Sequence, residues 1–365
     1  MANADELLKK FTKEMGDGVV NKGVEVKDIA RIPTGIFPLD LALRGGIPRG
    51  RITITYGNES SCKTGLSYLV MAQVQREGKR AVYVDLEHSL DPTWAIQYGL
   101  NMDELIVVNP QFAEQAVDII EGFLYADDVG IVVVDSLAAM TTDNEIASSA
   151  EKMNVGGASY IIGKMVRKAV IALAAAAKKG NYPSLFCINQ IRNKIGVLYG
   201  SSDTMPGGNS LRFASSLTIK LYGKDEIVKE VSPDIPTFKL ITGSIQKAKM
   251  PIMAKAFEYS LTMLPHGNLK VGQAPTWNFV ASYCKNAGAM TQAGQGKPWK
   301  LLGKEGSTQK ELKAFYEIDQ VYRQAIHDFI IQRETSKGVA EEVEEVVDTE
   351  TGEIKSVVKP VVVVA

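Results

Sequence analysis

Four short stretches of this chain are rich in β-branched and apolar residues: 51–56 (RITITY), 81–86 (AVYVDL), 131–135 (IVVVD) and 184–189 (SLFCIN). They alternate with segments of helical pattern at 63–76, 114–125 and 159–179. Nearly continuous apolar strands must be covered on both faces, and intervening helices supply that cover. The fold class is therefore α/β with a mostly parallel sheet, and this domain is expected over residues 33–265.

The flanks differ in character. Residues 4–15 (ADELLKKFTKEM) place Leu7, Leu8, Phe11 and Met15 at helical spacing. Residues 1–32 read as an N-terminal segment that either caps its own fold or docks as an oligomerisation arm on a neighbouring subunit. Residues 266–335 read as a smaller α+β domain, with glycine-rich turns at 293–297 (AGQGK) and a helix over 309–333. Residues 336–365 read as an acidic mobile tail without helical or strand partner.

Composition narrows the class further. A chain of 365 residues with 45% hydrophobic and 23% charged residues is no collagen, disulfide scaffold or wholly disordered polymer. The net charge of −1 does not by itself suggest a nucleic-acid binder. Residues 341–365, however, carry seven acids against two lysines, so the body is mildly basic. Three scattered cysteines and three histidines argue against a disulfide framework or zinc site and fit a reducing cytoplasm. The polar start shows no secretory signal. Apolar runs such as 169–177 are far short of the roughly 20 residues that span a bilayer.

The strongest local motif follows the first strand. Gly57-Asn58-Glu59-Ser60-Ser61-Cys62-Lys63-Thr64 resembles the phosphate-binding pattern G-x-x-x-x-G-K-[ST], placed between a strand and a helix as that pattern requires. Backbone N–H groups of such a loop cradle phosphates, and the helix N-terminus adds partial positive charge. Lys63 is expected on the β/γ-phosphates and Thr64 on Mg²⁺. Cys62 departs from the pattern, because its Cβ restricts a turn that glycine leaves free. It also offers a thiol whose oxidation would affect nucleotide binding if the site is accessible. The bland alternative is a serine-rich turn with a chance lysine. Asp135-Ser136 at the end of an apolar strand suit a Walker B carboxylate near Mg²⁺. Glu87, just after the strand ending in Asp85, is placed to orient and deprotonate an attacking water. In this order the three elements indicate a nucleotide hydrolase.

Two long loops interrupt the domain, at 145–158 and 191–209. Loops of that length are usually functional or disordered. The second combines Arg192, Lys194, Tyr199 and glycines, a set suited to single-stranded nucleic acid: cations neutralise phosphate and an aromatic stacks or wedges. Read alone, it is equally a surface lid.

Residues 57–64, 84–92 (VDLEHSLDP), 131–140 (IVVVDSLAAM), 189–200 (NQIRNKIGVLYG) and 207–213 (GGNSLRF) together resemble the RecA family of DNA recombinases, in order and spacing. The likeness covers most of 33–260. The missing P-loop glycine is shared with some phage-encoded, UvsX-like members. The resemblance implies an ATP-dependent, Mg²⁺-requiring and DNA-stimulated ATPase that forms a helical homo-oligomeric filament on single-stranded DNA. It further implies pairing and strand exchange with homologous duplex DNA in a bacterial or phage-infected cytoplasm. Single-strand-binding and mediator proteins are possible partners, and no membrane is involved.

Residue by residue, the resemblance implies that Gly57–Thr64 bind triphosphate and Mg²⁺, and that Glu87 activates water. Asp91 and Trp94 contact and cover adenine, and Asp135 serves the metal. Gln190 senses the γ-phosphate. Lys247 and Lys249 reach across the ATP of a neighbouring subunit. It places Gly156, Gly157, Arg167, Arg192, Lys194, Tyr199, Gly207, Gly208 and Asn209 at DNA, and Lys152 is a further candidate there. Tyr160 stands where the family has an arginine, with Lys152 nearby. The acidic tail either competes with DNA for basic surface or solubilises the chain. Three other readings stay open: a helicase or recombination mediator on the same core, a DNA-binding protein with weak hydrolysis because of Cys62, and a small-molecule kinase.

Overall fold

The computed structural model describes residues 3–15, 20, 28–143, 157–193, 203–336, 341–347 and 354–360. The chain divides into two compact units, Met1–Pro275 and Thr276–Ala365.

The first unit is organised by one eight-stranded sheet. Its strands are β1 (Ile52–Gly57), β2 (Arg80–Asp85), β3 (Leu105–Val108), β4 (Val129–Asp135), β5 (Ser184–Gln190), β6 (Leu217–Glu226), β7 (Phe238–Ala248) and β8 (Ala256–Thr262). Their order across the sheet is β8-β7-β6-β1-β5-β4-β2-β3. The six from β6 to β3 run parallel, and β7 and β8 extend the sheet antiparallel. The helices are α1 (Ala4–Met15), α2 (Phe37–Ala42), α3 (Lys63–Arg76), α4 (Pro92–Gln97), α5 (Ala113–Tyr125), α6 (Gly157–Lys178) and α7 (Gly208–Ala214). The α/β class read from the sequence is what the chain adopts. Among the described residues no helix is long and apolar enough to cross a membrane.

Period-two geometry sends alternate strand residues to opposite faces. Tyr83, Ile131, Val133, Phe186 and Ile188 pack with Leu66, Tyr68 and Met71 of α3. Val82, Val84, Val132, Val134, Leu185 and Cys187 pack with Ala116 and Ile120 of α5 and Ile162 and Met165 of α6. Every residue of β4 is buried. Each fully buried Val, Leu or Ile contributes roughly 1.5–3 kcal/mol, which is why the central strands tolerate so little polarity. α1 buries none of its residues.

Parallel register aligns the strand ends. Gly57 lies opposite Gln190, and Asp85 opposite Asp135. The C-terminal ends of β1, β5, β4 and β2 therefore form one edge, where α/β sheets bind ligands.

The second unit contains α8 (Trp277–Asn286), a three-stranded antiparallel sheet of β9 (Met290–Gln292), β10 (Trp299–Leu301) and β11 (Lys304–Gly306), then α9 (Gln309–Ile318) and α10 (Gln320–Ser336). The single helix expected over 309–333 is thus two. Asp319 leaves helical geometry at φ −89° and ψ 101°. Its carboxylate accepts the Tyr322 N–H at 3.0 Å. A short acid that captures backbone donors favours a helix start over a helix interior. The tail also departs from expectation. Glu341–Val347 (β12) pairs antiparallel with Ile354–Pro360 (β13), so this segment has a strand partner. The valines of both stretches suit a pleated pairing.

Candidate nucleotide-binding and hydrolysis site

Residues 57–64 form the turn between β1 and α3. At Gly57 a Cβ would sit 2.1 Å from the Leu221 carbonyl oxygen, so only glycine lets the loop leave the sheet beside β6. Gly223 of β6 matters equally and was not singled out from sequence. A Cβ there would lie 2.6 Å from the Ser60 carbonyl oxygen. Asn58, Glu59 and Ser60 are exposed, whereas Ser61 is buried and donates to the Asn58 carbonyl at 2.8 Å. The Lys63 ammonium bonds the loop itself, at 3.2 Å to Gly57 O, 2.6 Å to Asn58 O and 3.2 Å to Ser61 Oγ. Burial lowers its pKa, opposed by Asp135 and Glu87.

Cys62 takes the left-handed backbone of the missing glycine, φ 57° and ψ 29°. Its side chain packs against the core on the α3 side of the sheet. Burial pushes the thiol up to about 11. A protonated, half-buried thiol is a poor nucleophile, so the sensitivity to oxidation expected for an accessible thiol finds no support.

Asp135 ends β4 almost fully buried. Its Oδ2 accepts from Thr64 Oγ1 at 2.7 Å and from the Tyr83 hydroxyl at 2.8 Å. Burial raises its pKa, and the two hydrogen bonds oppose that rise. On β2, Asp85 accepts the N–H groups of Ser89 and Leu90 at 3.2 and 3.0 Å. This fixes the turn that carries Glu87. Glu87 Oε1 meets two donors, the Ser136 hydroxyl and, at 3.1 Å, Gln190 Nε2. Three strand ends thus meet through Ser136, Glu87 and Gln190. Asp91 caps α4 by accepting Thr93 N–H at 2.8 Å and Trp94 N–H at 3.1 Å. The Trp94 and Tyr98 ring centroids are 5.4 Å apart.

The hard oxygens of Thr64 and Asp135 beside the P-loop fit Mg²⁺, which takes few protein ligands and completes its shell with phosphate and water. Among the described residues there is no cluster of three or more His, Cys, Asp or Glu side chains suited to a soft or structural metal.

Comparison with known proteins places this arrangement. The model of the RecA N-terminal domain matches residues 2–260. Protein RecA of Nautilia profundicola is 34% identical over 330 residues, 88% of this chain and 89% of that protein. The chain belongs to the RecA family. Protein RecA of Bacillus pumilus and of Thermus aquaticus are 39% and 40% identical over 62% of this chain, and those matches span 65% and 66% of the two relatives. RecA-family proteins are ATP-dependent DNA recombinases and DNA-dependent ATPases.

The remaining residues that the RecA resemblance singled out lie elsewhere. Lys247 bonds the carbonyls of Arg212 and Phe213, and Lys249 bonds Phe213 O at 2.8 Å. Both therefore cap the C-terminal end of α7, a favourable place for cations, and neither bonds the P-loop. Lys152, Gly156, Lys194 and Tyr199 lie outside the described residues. Gly157 is the first residue of α6. Arg192 lies in a two-residue strand paired with Asp203–Thr204. Asn189 at the end of β5 donates to the Pro206 carbonyl at 2.9 Å, linking Gln190's strand to the far end of that loop. Gly207 has φ 103°, and a Cβ there would lie 2.8 Å from Leu211 and 3.0 Å from Ile162, which gives it a packing role. Gly208 and Asn209 are exposed at the start of α7. An ideal Cβ at Gly163 would lie 3.5 Å from both Arg167 Nη1 and Ser210 Oγ, which places Arg167 on α6 beside α7.

Sequence reasoning missed Tyr83, Asp85 and Gly223. Tyr83 and Asp85 did carry a signal: they alternate along β2 onto one face.

Proposed function

We propose that this chain hydrolyses ATP at the P-loop edge of the sheet and uses the nucleotide state to control a filament on single-stranded DNA. The observation that carries the reading is the meeting of Ser136, Glu87 and Gln190, from three strands, beside the Thr64–Asp135 pair. Backbone N–H groups of residues 57–64 and Lys63 hold the phosphates. Thr64 and Asp135 hold Mg²⁺, which when bound neutralises phosphate charge. Glu87 orients the attacking water and takes its proton, while Ser136 and Gln190 fix the carboxylate. Asp91 and Trp94 receive the adenine.

Gln190 precedes the loop at 191–209, so its bond to Glu87 gives nucleotide state a route to the DNA-binding segment. Loss of the γ-phosphate shifts the loop population and releases DNA. Lys152, Gly156, Gly157, Arg167, Arg192, Lys194, Tyr199, Gly207, Gly208 and Asn209 form the DNA surface in this reading. Lys247, half-buried, and Lys249, exposed, both at the end of α7, serve a neighbouring subunit's ATP. Residues 1–32 are the oligomerisation arm, 33–265 the ATPase and DNA-binding core, 266–335 a smaller domain and 336–365 an acidic tail. Pairing with homologous duplex DNA completes the cycle, with single-strand-binding and mediator proteins as partners in a bacterial or phage-infected cytoplasm.

The test is ATP turnover with and without single-stranded DNA, with Lys63→Ala as the blank. Strong stimulation that the blank abolishes is expected. Turnover indifferent to DNA would remove the coupling through Gln190.

A further inference from the structure

Asp135 is held from two sides. Thr64 belongs to the phosphate loop, but Tyr83 belongs to the sheet interior, fully buried on the neighbouring strand β2. Both hydroxyls donate to the same oxygen, Oδ2. Among the described residues no donor meets Oδ1. A carboxylate at a strand end has one torsion that decides which oxygen it presents. A donor fixed in the sheet core removes that freedom before any ligand arrives.

The Tyr83 ring is itself fixed. It lies 5.8 Å from Tyr68, which stands edge-on to Tyr98 at 5.9 Å, and Tyr98 packs on Trp94 at 5.4 Å. Tyr68 and Tyr98 are buried and Trp94 is half-buried. Gly65, in the first turn of α3, makes room for this column, since a Cβ there would lie 2.9 Å from the Tyr98 ring. A phenylalanine at position 83 would fill the space equally well. The hydroxyl is therefore surplus to packing; it donates to the carboxylate and has the Tyr68 hydroxyl as its other polar neighbour.

We propose that Tyr83 is a positioning residue for the metal site: its hydroxyl pins Oδ2 of Asp135 and leaves Oδ1 as the oxygen offered toward the Mg²⁺ shell. This rests on the reading of Asp135 as the metal-side carboxylate. Outer-shell hydrogen bonds of this kind orient ligands, and their loss typically costs about 10- to 100-fold in metal affinity or activity.

The test measures binding of β,γ-imido-ATP to the full chain by calorimetry, with and without Mn²⁺. The ratio of the two affinities is the contribution of the metal. Tyr83→Phe should cut that ratio about tenfold, while the metal-free unfolding midpoint stays where it is. An undiminished ratio overturns the proposal. So does an equal loss of affinity with and without Mn²⁺, because that is a packing effect. Asp135→Asn separates the two readings. If it leaves the ratio intact, the assignment of Asp135 fails and this proposal fails with it. If it lowers the ratio and Tyr83→Phe does not, only the role of Tyr83 is lost.

Discussion

Cys62 carries a Cβ into backbone space that glycine ordinarily takes, at φ 57°. The left-handed region costs an L-residue about 1–2 kcal/mol, and here burial of the side chain against the core offsets it. Cys62→Gly removes both terms, so stability should move by about 1 kcal/mol or less. Cys62→Val should be far worse, because a β-branched residue is a genuine outlier at positive φ. It should lose ATP binding, measured by calorimetry, before it loses the fold. The same burial holds the thiol protonated, with a pKa of about 11. Labelling by a thiol reagent at neutral pH should be slow in the native chain and fast after unfolding.

At the scale of elements, the phosphate loop depends on a strand that contributes nothing to its motif. β6 reaches the loop through Gly223 and through the Leu221 carbonyl against which Gly57 fits. Gly223→Ala places a methyl 2.6 Å from Ser60 O, where backbone must shift. ATP affinity should fall although residue 223 lies outside the phosphate motif, while the circular dichroism spectrum stays that of the α/β fold. Intact ATP affinity would show that the loop does not need this support. The lysine pair makes a similar point. Lys247 and Lys249 belong to β7 and its end, yet their partners are the last carbonyls of α7. Inserting them across a neighbour's ATP requires exchanging those carbonyls for phosphate.

At the scale of the molecule, the second unit carries a titration of its own. There the Tyr316 hydroxyl lies between Thr276 Oγ1 at 2.9 Å and His327 Nε2 at 2.7 Å. Burial, with Arg323 adding to it and Asp328 opposing, depresses His327 from 6.5 to about 4. The unfolded chain therefore binds this proton more readily than the folded one. The contribution of His327 is complete above about pH 6.5 and is lost as pH falls toward 4. Fluorescence-detected melting in a Trp94→Phe background reports the second unit through Trp277 and Trp299. Its midpoint should drop over that window, and His327→Gln should flatten the dependence.

Much of this was legible in the residues. Four of the sheet's eight strands (β1, β2, β4 and β5), their order with the helices, the phosphate loop and the acids at positions 87 and 135 follow from local signals: apolar periodicity, a glycine-opened turn and a strand-terminal carboxylate; β3, β6, β7 and β8 were not read from the residues. Such signals act over a few residues, so sequence alone determines them. The break at Asp319 escaped because a helical pattern runs through it, and only the backbone N–H that the carboxylate captures decides the end. The tail pairing escaped because charge pattern outweighed the valines. What the tertiary structure alone decided is which distant residues meet. Tyr83 finds Asp135 across 52 residues and Thr64 finds it across 71. Parallel register sets those meetings, by bringing the ends of β1, β5, β4 and β2 to one edge. Register is a property of the whole sheet, fixed by packing on both faces, and no short stretch of sequence contains it.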